Sequence, residues 1–155
     1  MYRTHNLGEL NIKNVGEEVE LSGWIQKIRN LGGMIFIDLR DQFGITQIVI
    51  NDEQLQEQAK ELTTESCIHI CGKVVERSNK NPKMATGEIE VVTGKIEVLG
   101  KCKNILPFEV NTDQEVREDL RLEYRFLDLR NKKLHDSILL RSKILKTLRD
   151  KMDEL

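Results

Sequence analysis

The sequence predicts a mainly β chain: a five-stranded barrel with one helix between its third and fourth strands, followed by a helical C-terminal stretch. Three observations predict it. Apolar side chains recur at every second position in five separate stretches before Gly100. Polar or glycine-containing turns separate those stretches. One segment between the third and fourth stretches changes to helical spacing.

The first strand covers 18–28, with Val19, Leu21 and Ile25 on one face and Gly23 between them, where a bend or a close backbone approach is expected. Asn30, Leu31, Gly32 and Gly33 form a turn, and 34–40 alternates again with Ile35, Ile37 and Leu39 inward. Asp41 to Gly44 makes the next turn, and 45–50 is a third strand with Ile48 and Ile50 inward. In 52–65, Leu55, Ala59 and Leu62 share a helical face, and Asp52 is placed to cap the start. The fourth strand, 66–77, puts Ile68, Ile70 and Val74 inward; a polar loop with Pro82 leads to a fifth strand at 88–93, which Ile96 and Val98 extend past Gly94. A partly open five-stranded Greek-key barrel with a helix after its third strand is the OB-fold pattern. Another small antiparallel barrel fits the same order of elements.

The texture changes after Gly100. Domain boundaries are placed at 1–104 for the barrel, 105–133 for a linker and 134–155 for the first helix of a further domain. Thr112 to Glu115 matches a capping box. From 136 onward Ile138, Leu145, Leu148, Met152 and Leu155 form one stripe that reaches the last residue without a glycine or cap, as in a truncated helix.

Of 155 residues, 39% are apolar and 32% charged, with a formal net charge of −2. That balance argues against a protein that grips duplex phosphates, so a DNA partner is not expected, and any RNA contact should read unpaired bases. No apolar run is long enough to span a membrane, and three cysteines point to a reducing, cytoplasmic setting.

Strand alternation also selects side chains that face away from the core. With Ile35, Ile37 and Leu39 inward, Met34, Phe36, Asp38 and Arg40 face out. An outward phenylalanine is either covered by a loop or a platform for a base, worth about 1–3 kcal/mol per base stacked. Gln47 faces out from the next strand and offers both a donor and an acceptor to a base edge. Glu90 faces out on the fifth strand and can accept from the paired N–H groups of guanine. Arg29 ends the first strand near the same face, and Arg77, Lys80 and Lys83 form a modest basic cluster after the fourth. Each is equally readable as an ordinary solvated side chain.

No metal site is expected. Cys67, His69 and Cys71 share a strand face, but the two cysteines are then about 13 Å apart, too far for zinc bonds of about 2.3 Å. No nucleotide-phosphate loop appears. Asp38 and Asp41 flank Arg40 and suggest turn and ion-pair chemistry, so no catalytic residue is assigned.

Several motifs then combine. Gly-Trp-Ile at 23–25, Phe-Ile-Asp-Leu-Arg-Asp at 36–41 and Gly-Ile-Thr-Gln at 44–47 resemble the N-terminal barrel of class IIb aminoacyl-tRNA synthetases. Within that class, Arg-Thr-His at 3–5, Arg-Asn-Leu-Gly-Gly at 29–33, Ala-Thr-Gly-Glu-Ile-Glu-Val at 85–91, Leu-Pro-Phe at 106–108 and the run 121–130 resemble the bacterial aspartyl enzymes. The resemblance spans essentially the whole chain. Asn30 and Asn131 depart from it, where aspartate and arginine are common.

The resemblance implies roles. Phe36 matches the aromatic that stacks on the middle anticodon base, a uracil, and Gln47 the amide that reads its edge. Glu90 matches the acidic residue near the first base, guanine. Arg29 matches a basic residue at the last base, and Arg77 a loop contact. The implied partner is the anticodon loop of aspartate tRNA. The implied parent is a homodimeric ligase using ATP and Mg²⁺, with no cofactor in this stretch. An asparaginyl or lysyl relative, which also meets a middle uracil, and a free-standing OB module are the alternatives.

Overall fold

The computed structural model describes residues 2–103, 106–111 and 115–155. The chain divides into two compact units, 1–104 and 105–155. In the first, the strands are β1 (Glu18–Leu31), β2 (Met34–Arg40), β3 (Ile45–Ile50), β4 (Cys67–Glu76) and β5 (Ile89–Gly100), with helix α1 (Glu53–Lys60) between β3 and β4. They form a closed barrel in the order β1-β2-β3-β5-β4. Closure, where partial opening was expected, comes from two contacts. β5 runs on to Gly100 along β4, and β3 pairs with β5 in parallel through Ile48–Val91 and Val49–Val92.

The alternation read from the sequence sets the core. Leu21, Ile25, Ile37, Leu39, Ile48, Ile50, Ile68, Ile70 and Ile89 are fully buried, each worth about 1.5–3 kcal/mol of transfer free energy. Leu7 and Leu10 join them from the N-terminal segment. Gly23 packs so closely on the Arg40 backbone and the Leu7 side chain that a Cβ there would collide with both.

The β1–β2 turn is tighter than expected. Leu31 pairs with Met34, leaving only Gly32 and Gly33 in the turn, both at positive φ (61° and 81°), which glycine adopts without steric cost. At the next turn Asp41 Oδ1 accepts from the backbone N–H groups of Phe43 (2.7 Å) and Gly44 (2.9 Å). Asp52 caps α1 as expected, accepting from Gln54 and Leu55 at 3.0 Å. The helix stops at Lys60, yet Leu62 still reaches the core.

The second unit holds α2 (Glu118–Glu123), α3 (Arg125–Asp128) and α4 (Lys132–Asp153). The expected capping box falls largely on 112–114, outside the described residues. Glu115 precedes the helix, which starts at Glu118 without a side-chain cap. Buried Asp128 is gripped by Arg121 (2.9 Å) and Arg125 (2.5 Å). Asn131 caps α4 through Lys133 N–H at 3.0 Å, so that helix begins before the expected 136. Ile138, Leu145, Leu148 and Met152 are exposed along it.

Candidate nucleic-acid interface

The two-glycine turn sets the register that builds the outer face of β1, β2 and β3. Arg29 lies opposite Phe36, and Asp38 lies opposite Gln47. Diagonal neighbours across an antiparallel pair are within reach of long side chains, and Arg29 uses this to pair with the Asp38 carboxylate. Arg29 Nη2 also donates to Gln47 Oε1 at 3.4 Å, and Gln47 Nε2 donates to Glu90 Oε2 at 3.0 Å. Four side chains from β1, β2, β3 and β5 thus form one chain of hydrogen bonds, Asp38–Arg29–Gln47–Glu90.

Phe36, half-buried, stands on the same face of β2 as Asp38. Arg77 follows the end of β4, where its N–H donates to Glu88 O at 2.9 Å. Arg77 is close enough to draw on the Asp38 carboxyl electrostatically. Among the described residues, Arg29 Nε and Arg77 Nη1 are buried donors without a hydrogen-bond partner. Lys80 is engaged by Glu76 at 2.8 Å, while Lys83 is exposed.

Two residues lie on the outward face as expected but are enclosed there rather than exposed. Gln47 is only 4% exposed, because its amide is held between Arg29 and Glu90 and does not stand free in solvent. Arg40 is 6% exposed and pairs with Glu65. The chain after α1 folds over that end of β2, with Glu65 N–H donating to Ile25 O at 2.7 Å.

Asp38, which the sequence placed outward and read as ion-pair chemistry, pairs with Arg29 but was not among the residues expected to read a base. Burial pushes its carboxyl above the ordinary carboxylate value, although Arg29, Arg77 and Lys27 pull the other way. The signal was available: a two-residue turn at Gly32 and Gly33 fixes Arg29 against Phe36, and hence diagonal to Asp38. Elsewhere His69 Nε2 lies 3.6 Å from Cys71 Sγ. Among the described residues no three His, Cys, Asp or Glu side chains are grouped to hold a metal, and no helix is long and apolar enough to cross a membrane.

The arrangement offers a half-exposed ring, an oriented amide, a carboxylate and two incompletely satisfied guanidinium groups on one sheet face. Such a surface can stack a base and bond its edges.

Known proteins contain a similar stretch of sequence. An aspartate–tRNA ligase of Streptomyces coelicolor is 48% identical over 154 residues, covering 97% of this chain and 26% of the relative. An aspartate–tRNA(Asp/Asn) ligase of Pelagibacter ubique is 50% identical over 157 residues, covering 99% and 26%. The chain therefore spans about a quarter of the length of these curated relatives. Among solved structures, asparaginyl-tRNA synthetase from Pyrococcus horikoshii superposes with a TM-score of 0.80 at 26% identity, covering 98% of this chain and 34% of that one. Aspartyl tRNA synthetase from Entamoeba histolytica gives 0.87 at 18% identity, covering 97% and 37%, a likeness of fold. The family model described as the OB-fold nucleic acid binding domain matches residues 19–99, which take in nearly the whole barrel and just over half of the chain, and the chain belongs to that family.

Proposed function

We propose that this barrel reads the anticodon of aspartate tRNA for an aspartate–tRNA ligase, with Phe36 stacking on the middle uracil and Gln47 bonding its edge. Glu90 then meets the first-position guanine, Arg29 the last base, and Arg77 the neighbouring backbone. The observation that carries this is the shared face: Phe36 stands beside a donor–acceptor series running through Arg29, Gln47 and Glu90. Identity of about 48–50% to aspartate–tRNA ligases supports the choice of tRNA.

The remaining length of those relatives is the natural place for aspartate activation with ATP and Mg²⁺. On the reading face of this barrel Asp38 and Glu90 are engaged with Arg29 and Gln47, an arrangement suited to a base edge. The exposed apolar residues of α4 suit cover by the rest of a ligase or by a second copy.

The test is Phe36→Ala in the full chain, titrated calorimetrically with a stem-loop carrying guanine, uracil and cytosine as its anticodon. Loss of the stacking platform should weaken binding by about 1–3 kcal/mol, with the melting temperature nearly unchanged because the ring is not part of the barrel core. Unchanged affinity would remove Phe36 from the interface. A collapsed melting temperature would make it a structural residue.

A further inference from the structure

We propose that Asp38 is a positioning residue for base reading: it anchors the Arg29 guanidinium against the Gln47 carbonyl, so that the Gln47 amide is held in one orientation. This rests on the anticodon-reading assignment and adds a residue to it. Asp38 contacts Arg29, and Arg29 in turn contacts Gln47 at 3.4 Å; the Gln47 amide nitrogen is then directed to Glu90 at 3.0 Å. The amide has two possible orientations, differing by exchange of its oxygen and nitrogen. The flipped one would place NH₂ against a guanidinium and oxygen against a carboxylate, both repulsive. Flanking charges therefore select the observed orientation.

The selected orientation leaves the amide unsaturated. Its oxygen has a second lone pair and its nitrogen a second hydrogen, the complement of the uracil edge, where an N–H donor adjoins carbonyl acceptors. Cytosine reverses part of that pattern and meets the wrong partner. Asp38 is only 16% exposed at its side chain, against 36% for Arg29, so the anchor is the more enclosed of the two. Without Asp38, the guanidinium can swing toward solvent or toward phosphate. Specific binding then weakens while nonspecific attraction grows, since a carboxylate has also been removed.

The experiment measures affinity of the full chain for two stem-loops, identical except for uracil or cytosine at the middle position. Asp38→Ala should reduce the uracil preference about tenfold, the scale of one base-edge contact, with cytosine-loop binding unchanged or tighter. In an Arg29→Ala background the same change should have no further effect, because Asp38 acts through Arg29. Asp38→Asn, which keeps the shape and one acceptor, should lose less than Asp38→Ala, and it carries the test if the alanine variant melts early. A preference unchanged by Asp38→Ala, or one that falls equally with and without Arg29, overturns the Asp38 role while leaving base reading intact. A wild-type chain with no uracil preference overturns base reading, and the role of Asp38 with it.

Discussion

Asp38 sits under two opposing influences, and their balance can be measured. Burial favours its neutral form, while Arg29, Arg77 and Lys27 favour the carboxylate, and burial prevails. A carboxyl whose folded-state value is raised stabilises the fold fully below its unfolded value of 3.8, and that contribution is lost as pH rises through the folded value. Asp38→Asn is neutral throughout and lacks this step. The melting temperature of the variant minus that of wild type should therefore rise as pH is raised above 3.8 and flatten once the folded carboxyl has ionised. A difference that is flat above pH 3.8 and changes only below it, falling as pH is raised toward 3.8, would show that the Arg29 ion pair outweighs burial. Residue-scale legibility was uneven for a related reason. Alternation alone put Phe36, Gln47 and Glu90 on the outer face, where they are found. It could not foresee that Gln47 is enclosed by Arg29 and Glu90, since that depends on neighbouring strands at a particular register.

Among elements, β2 illustrates both what period-two patterning captures and where it stops. Ile35, Ile37 and Leu39 face the core as read from the sequence, because a pleated strand sends alternate side chains to opposite faces. Arg40 breaks the pattern. It lies on the outward face, yet the segment after α1 covers it and supplies Glu65 as partner, with side-chain exposures of 7% and 8%. Coverage of a strand end by a distant segment leaves no trace in local periodicity. Removing one member of a buried pair leaves the other charge desolvated, so Arg40→Met should destabilise the barrel by about 3–5 kcal/mol, read as a lower denaturation midpoint in urea. A loss below about 1 kcal/mol, the range of exposed pairs, would mean that water reaches the pair. The parallel β3–β5 pairing was equally invisible locally, being a matter of which edges meet when five strands close. The Gly32–Gly33 turn was legible in principle. Two adjacent glycines between alternating strands specify a two-residue hairpin, and that register alone places Arg29 beside Asp38.

Taken whole, the molecule joins a nearly neutral charge balance to a base-reading face, and the two features agree. With a net charge of −2 the chain has little general attraction for polyphosphate. Affinity for RNA must then come from stacking and edge contacts, which depend on which bases are presented. The order of elements along the chain was legible because five alternating stretches and one helical segment occur in sequence. The exposed apolar residues of α4 were legible as a stripe too, but a stripe does not name what covers it. The most direct measurement is titration of the wild-type chain with a panel of stem-loops of equal length and charge. One carries the guanine–uracil–cytosine anticodon, three carry single-base changes within it, and one has a scrambled loop. Every change within the anticodon should weaken binding. The middle uracil should matter most, at about tenfold or more, because Phe36 and Gln47 both address it. Equal affinity across the panel would contradict base reading by this face.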